Sequence, residues 1–542
     1  MQKTKISQED YTLNQREYQL KLPIELHYKI APNDPVRLLN IFVEEINLKE
    51  LYKTYSRVSE KKASPRQLLK IVLYGAMNKL YSSRDIERAC KRDINFMYLL
   101  EGKPVPDHST IARFMNIHLA SCSKVLMVEM VRFLKEIGEI SAETVFIDGT
   151  KIESCANKYT FVWKRAVSKN HKRLLEKILD LIACIEEKYA VNLVYKNKVS
   201  IHTLKRVRKK LYKIKREENV VFVYGKGKRK TVIQRDIECL ESYLEKLKEY
   251  TKHLYICGDR NSYSKTDTDA TFMRMKEDAM LNGQLKPAYN LQHCVDAEYV
   301  TWVSIFSNPT DVKTLIPLLD EMKEHLDFSY KNIVCDAGYE SEENYFYITN
   351  NEQIAYIKPS NHEIAKKRKY KSDIGRAENM QYHADEDYYI CHNGKRLLAA
   401  DEKRQKTKRG YERITTIYRS ESCMNCEHKS ACIKGNNSKK PLAERTKTLY
   451  VSKEFQQMRN ASSERINSDF GKQLRMNRSI QAEGSFANIK ADMNFRRYSR
   501  RGNNNVLMES LVVAMAFNIN KLHHKIQSKR TGQYLFELKK AG

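Results

Sequence analysis

No uninterrupted run of about 18 apolar residues, the length a membrane-spanning helix needs, occurs in the chain. The most apolar late stretch, Val506 to Ile519, is broken by Glu509, Ser510 and Asn518. The opening residues, Met1-Gln-Lys-Thr-Lys-Ile-Ser-Gln-Glu-Asp10, lack the apolar core of a signal peptide. These absences argue against a membrane partner and lead us to expect a cytoplasmic, nucleoid-associated protein. No internal repeat is visible. Negative charge is in deficit: 67 Asp and Glu face 97 Lys and Arg, a formal net charge of +30. An excess of that size on a folded protein implies a polyanionic partner, because each neutralised phosphate releases a counterion. Most of the 12 cysteines stand singly in apolar settings (Cys90, Cys184, Cys257, Cys335) and read as small core residues in a reducing compartment. Hydrophobic residues make up 41% of the 542, which excludes wholesale disorder, and the length suits roughly three to four domains.

Residues 1–60 read as a polar N-terminal segment and 61–140 as a helical domain. Ser64-Pro65 is an N-cap followed by proline at the first helical position, and Leu68, Leu69, Val72, Leu73, Ala76 and Leu80 follow at helical spacing. A second helix starts at Ser82-Ser83 and runs through Cys90. A third starts at Asp107-His-Ser-Thr-Ile-Ala-Arg-Phe114, with Asp107 or Ser109 as its cap. Three short helices with an Arg-bearing third member suit either a helix-turn-helix DNA reader or a bundle packed on a catalytic core.

Residues 141–525 alternate strand and helix signals, which predicts a mixed α/β layer fold. Strands are expected at 144–150, 288–294, 301–306, 331–336 and 354–358, with a helix over 311–325. Two insertions interrupt this pattern. About 165–250 is charged and helical, with basic runs Lys205-Arg-Val-Arg-Lys-Lys210 and Lys226-Gly-Lys-Arg-Lys230; such runs serve as a solvated face or as DNA-backbone contacts. Residues 360–465 are polar and Lys-rich. The last 70 or so residues read as helical, with Leu507, Leu511, Met515 and Leu522 in one stripe.

Three acidic residues carry the chemistry. Asp148 ends the apolar run Val145-Phe146-Ile147, Asp336 ends Ile333-Val334-Cys335, and Glu483 lies in a segment with helical spacing. In an α/β sheet the strand C-termini face the ligand crevice, so two strand-end aspartates converge there. A helical glutamate completes a trio of hard oxygen ligands for Mg²⁺ or Mn²⁺. Two such ions about 4 Å apart serve phosphoryl transfer. Lys490, seven residues beyond Glu483, lies about two turns on and shares its face.

The string Asp148-Gly-Thr-Lys-Ile-Glu-Ser-Cys-Ala-Asn-Lys-Tyr-Thr-Phe-Val-Trp163 resembles the first-aspartate block of bacterial insertion-sequence transposases of the DDE superfamily. The resemblance continues at Thr266-Asp-Thr-Asp-Ala270, Tyr289-Asn-Leu-Gln292 and Asp336-Ala-Gly-Tyr-Glu-Ser-Glu-Glu-Asn344. It includes Arg478, Glu483, Phe486 and Lys490, then Arg496-Arg497 and Arg500-Arg501-Gly502. Ser64 to Phe114, with Pro106-Asp-His-Ser-Thr110, looks like the N-terminal domain those transposases share. The resemblance implies an α/β, ribonuclease H-like mixed sheet flanked by helices, with an N-terminal all-helical domain. It implies Asp148, Asp336 and Glu483 as a triad binding two Mg²⁺ or Mn²⁺ ions. The activity implied is cleavage of double-stranded DNA at the element's terminal inverted repeats and joining of the 3′-hydroxyl to target DNA, by a homodimer on DNA. Arg478 and Lys490 would contact phosphates near the cut, and Arg496, Arg497, Arg500 and Arg501 would position the backbone. A ribonuclease H-like nuclease and a catalytically silent, domesticated DNA-binding protein are the competing readings; retention of all three acidic residues favours the active enzyme.

Cys423-Met-Asn-Cys426-Glu-His-Lys-Ser-Ala-Cys432 stands apart in the second insertion. With Cys391 upstream as a fourth ligand, and His392 and His428 as further candidates, it suits a structural Zn²⁺ site; free thiols in a reducing cytosol are the alternative.

Overall fold

The two apolar runs that precede Asp148 and Asp336 are neighbouring strands. In the computed structural model, which describes residues 30–191, 199–225, 227–275, 283–435 and 440–538, the first eight strands are β1 (Thr144–Glu153), β2 (Phe161–Trp163), β3 (Ser262–Ser264), β4 (Thr271–Arg274), β5 (Leu285–Asp296), β6 (Tyr299–Phe306), β7 (Asn332–Cys335) and β8 (Ile354–Ile357). Much of the expected N-terminal polar segment, and Lys226 of the second basic run, lie outside the described residues.

The central sheet runs β6-β5-β1-β7-β8, with β4 on the same edge of β5 as β6; β2 pairs with β3 apart from it. β1 is antiparallel to β5 but parallel to β7, and β7 is parallel to β8. This is the ribonuclease H-like arrangement. Its middle strands are buried on both faces, which is why Val145-Phe146-Ile147 and Ile333-Val334-Cys335 read as continuous apolar runs rather than alternating ones. The expected helix over 311–325 begins as a single tight turn, Asp311–Lys313, and continues as Leu315–His325.

The N-terminal helices form as their caps dictate. Ser64 and Gln67 make a reciprocal capping box for Pro65–Met77, Ser82 caps Ser83–Arg92, and Asp107 caps His108–Arg113. The helical unit starts earlier than residue 61: Asp34 caps Pro35–Glu45, which buries Val36, Leu39, Phe42 and Val43. These helices pack on the same continuous apolar core as the sheet. The joint is the long helix Asn503–Gln527, which touches β6 on one side and the helices Pro65–Met77 and Ala120–Glu136 on others. The single stripe expected there is incorrect. Met508, Val512, Val513 and Ala516 are buried along with Leu511, Met515 and Leu522, whereas Leu507 is only half-buried. A helix apolar on every side is one enclosed by protein.

Both insertions are folded units with their own small cores. The first is three helices, Lys164–Tyr189, Ile201–Glu217 and Val232–Cys257, closed around Ile178, Ile182, Leu204, Ile237 and Leu240. The second is more ordered than its polar sequence suggests. β9 (Gln381–His383), β10 (Tyr388–Ile390), β11 (Arg396–Lys406), β12 (Glu412–Ser420) and β13 (Thr448–Val451) form an antiparallel sheet in the order β13-β12-β11-β10-β9. Its core is Met380, Tyr389, Leu397, Tyr418, Leu449 and Val451.

Candidate active site

Asp148 sits where the sheet changes character. The parallel register of β1 with β7 ends at Ile147 opposite Cys335, while the antiparallel register with β5 continues through Asp148 opposite His293 to Glu153. Asp148 is therefore at the end of the parallel pairing but inside its strand, three residues longer than the expected 144–150. Asp336 directly follows β7, and its Oδ1 accepts the Gly338 N–H at 2.8 Å, capping the tight turn Ala337–Tyr339. Asp148 Oδ1 accepts the N–H of Gly149 at 2.8 Å. Because β1 and β7 are adjacent and parallel, both carboxylates open onto the same end of the sheet.

Glu483 arrives from the other wall. The helix Asp469–Arg478 runs into a wider turn, Ser479–Glu483, whose hydrogen bonds span five residues rather than four. On a regular α-helix, positions five apart point in different directions. Here the wide turn brings Arg478 and Glu483 onto one face, and the guanidinium holds Glu483 Oε1 at 2.7 Å. Its other terminal nitrogen lies 3.7 Å from Asp148 Oδ2, and Ser479 Oγ donates to Glu483 Oε2 at 3.1 Å. Arg478 thus ties the helical carboxylate to the strand carboxylate.

One open cleft of about 600 Å³ is lined by Asp148, Gly149, Thr150, Asp336, Glu483, Phe486, Ala487, Lys490, Ala491 and Arg496. The sequence-predicted residues it brings together are the three acids, Lys490 and Arg496. Arg497, Arg500 and Arg501 lie elsewhere. Arg497 donates to the carbonyls of Ser154 and Ala156, at 3.1 and 3.3 Å, and Arg501 to that of Cys155 at 3.3 Å, so both fasten the chain after β1. Arg500, expected as a DNA-backbone contact, turns inward instead: its side chain is 12% exposed, it donates to Asn116 Oδ1 at 2.9 Å, and it lies 3.8 Å from the buried Glu509. Burial next to a carboxylate makes it a structural cation joining the N-terminal helices to the last helix.

Beneath the cleft lies a polar network that sequence reasoning missed. Asn290 and Gln292, alternate residues of β5, donate to Asp311 Oδ1 at 2.8 and 2.9 Å, and Tyr339 donates to Gln292 Oε1. Burial pushes the Tyr339 hydroxyl well above its ordinary pKa, with Asp311 and Asp148 adding to the effect, so it remains a donor. The available signal was two amide side chains at alternate positions of an otherwise apolar, enclosed strand. Opposite Asp148, the His293 ring stacks on Phe486 with centroids 4.3 Å apart. Burial lowers its pKa to about 3, so the imidazole is neutral.

The donor chemistry suits a hard divalent cation: carboxylate oxygens converge on one water-accessible cleft, and a guanidinium already bridges two of them. Among the described residues, no three Asp, Glu, His or Cys side chains are gathered tightly enough to share one ion. Arg478 holds Glu483 in this state. In the second insertion Cys391, Cys423, Cys426 and Cys432 all line one cavity of about 20 Å³, with Lys447 beside them, and the Lys447 N–H points at Cys423 Sγ at 3.3 Å. His392 and His428 pack edge-on with ring centroids 4.8 Å apart and are absent from that lining.

Fold alone does not fix function, and comparison with known families narrows the class. Residues 390–523 match the family model described as transposase DDE domain, and residues 24–116 match the one described as transposase domain (DUF772). Both matches are to transposase domains, and together they support an insertion-sequence DDE transposase. The first match contains Arg478, Glu483, Lys490 and the four clustered cysteines; the second ends in the helical unit just after Arg113. No curated protein and no solved structure matches the chain. No helix among the described residues is long and apolar enough to cross a membrane.

Proposed function

We propose that this DNA transposase cleaves the terminal inverted repeats of its element and joins the freed 3′-hydroxyl to target DNA, with Asp148, Asp336 and Glu483 holding two Mg²⁺ or Mn²⁺ ions. The observation that carries the reading is the single cleft shared by three carboxylates, Lys490 and Arg496. The bound ions would activate the attacking oxygen and stabilise the leaving one. The protein's own groups do the rest. Gly149, without a side chain, lets Asp311 and the buried Gln292 come close to the backbone beside Asp148. Lys490 and Arg496 would hold phosphates across the cleft from the aspartates, and Arg478 would be a paired donor for phosphate oxygens near the cut. Two element ends must be held together, so the working form is a homodimer on DNA. The cysteine-lined cavity is read as a structural Zn²⁺ site of Cys391, Cys423, Cys426 and Cys432, pinning the loops of the antiparallel sheet; protein purified without chelator should carry zinc, and a Cys426→Ser variant should not.

Nicking of a labelled duplex that carries the gene's flanking repeat tests the main reading. Cleavage at the repeat boundary should need Mg²⁺ or Mn²⁺ and should vanish in Asp336→Asn and Glu483→Gln, both of which should still bind the duplex. An Asp336→Asn protein that cuts as well as wild type refutes the assignment.

A further inference from the structure

Asp311 lies beside the residue that follows Asp148 and beside the turn that Asp336 caps. Gly149 pairs with Gln292 across the sheet, and a Cβ at Gly149 would stand 2.9 Å from Asp311 Oδ1. A Cβ at Gly338, in the turn that Asp336 caps, would stand 3.6 Å from Asp311 Oδ2 and 3.0 Å from Asp336 Oδ1. The Asp311 and Asp336 carboxylates therefore flank a common point, and Asp311 also adjoins the residue that follows Asp148.

The two oxygens of Asp311 are treated differently. Oδ1 accepts both side-chain amides, from Asn290 at 2.8 Å and Gln292 at 2.9 Å. Tyr339, by donating to Gln292 Oε1, fixes which end of that amide faces Asp311. Oδ2 accepts no hydrogen bond from any described residue. Evidently the surroundings lock the carboxylate's orientation through one oxygen and leave the other for something else.

We propose that Asp311 is a fourth carboxylate of the metal centre, presenting Oδ2 to the ion held by Asp148 and Asp336, with Asn290, Gln292 and Tyr339 as positioning residues. This rests on the metal-binding reading of those two aspartates. The test uses the full-length protein without DNA. Mn²⁺ titration followed by electron paramagnetic resonance should show affinity reduced about tenfold or more in Asp311→Asn, as in Asp336→Asn. The metal-free melting temperature of Asp311→Asn should be unchanged or raised. On wild type, which avoids any folding defect, Fe²⁺ with ascorbate and peroxide should cut the backbone near residues 148, 336 and 311. Asp336→Asn losing Mn²⁺ while Asp311→Asn binds as wild type, with no cut near 311, overturns this proposal alone. If Asp148→Asn and Asp336→Asn both bind Mn²⁺ as wild type does, the metal reading fails and this one with it.

Discussion

Gly149→Ala is the most informative single perturbation of the polar network under the cleft. A Cβ at 149 would lie 2.3 Å from Gln292 Nε2 and 3.0 Å from its Cδ, in addition to the contact with Asp311. None of these is the free end of a flexible chain, because Gln292 is fully buried and held by Asn290, Asp311 and Tyr339. The amide must leave. Overpacking in an enclosed site costs about 1–3 kcal/mol, and a buried group left without its partner costs about 1–3 kcal/mol. Reduced freedom of the unfolded chain returns about 0.4–1 kcal/mol. The expected net is a loss of about 2–4 kcal/mol, read as a lower urea midpoint with unchanged slope. The decisive step is the double variant with Gln292→Ala. If the clash is the cause, the double should lose at least about 1 kcal/mol less than the sum of the singles. Additive losses, or a Gly149→Ala protein within about 0.5 kcal/mol of wild type, would refute the close approach.

Lys525→Met should be among the costliest substitutions away from the cleft. Lys525 Nζ lies 3.0 Å from Glu139 Oε2 with side-chain exposures of 0% and 3%, and stranding that carboxylate should cost about 3–5 kcal/mol in a denaturant melt. His293 sets a pH dependence. Its folded pKa, about 3, lies below the ordinary value of 6.5, so the unfolded chain takes up the proton first and the stability of the neutral ring is lost as pH falls between those limits. Relative to His293→Phe, wild type should lose up to about 1.4 kcal/mol per pH unit across that window, and parallel curves would contradict it. Asp296 works the other way. Burial raises its pKa to about 6, so folding gains as pH falls from 6 towards 3.8, and Asp296→Asn should remove that gain in a matched series of melts.

The central sheet was legible because its strands are enclosed and their apolar runs unbroken, and the helix caps because Ser64, Ser82 and Asp107 are local signals. The antiparallel sheet of the second insertion was not. β11 exposes nearly every residue, so no alternation marks it, and its partner β12 supplies the few buried positions. The pairing of Arg478 with Glu483 depends on a wide helical turn that spacing arithmetic based on the α-helix does not anticipate. Arg500 was misassigned for a related reason: within a run of arginines, sequence does not say which one meets Glu509. Asp311 reads as an ordinary helix-start acid, and only the register that places Gln292 opposite Gly149 reveals its neighbours.

The enclosed helix Asn503–Gln527 has a consequence for how the protein is made. It fills the space between β6 and helices from the first quarter of the chain, so these surfaces have no cover until nearly all of the sequence has left the ribosome. Domains ordinarily fold in order as they emerge. Here the helical unit must wait, apolar flank exposed, for a segment synthesised hundreds of residues later. A product that stops before residue 503 lacks the helix that covers these surfaces.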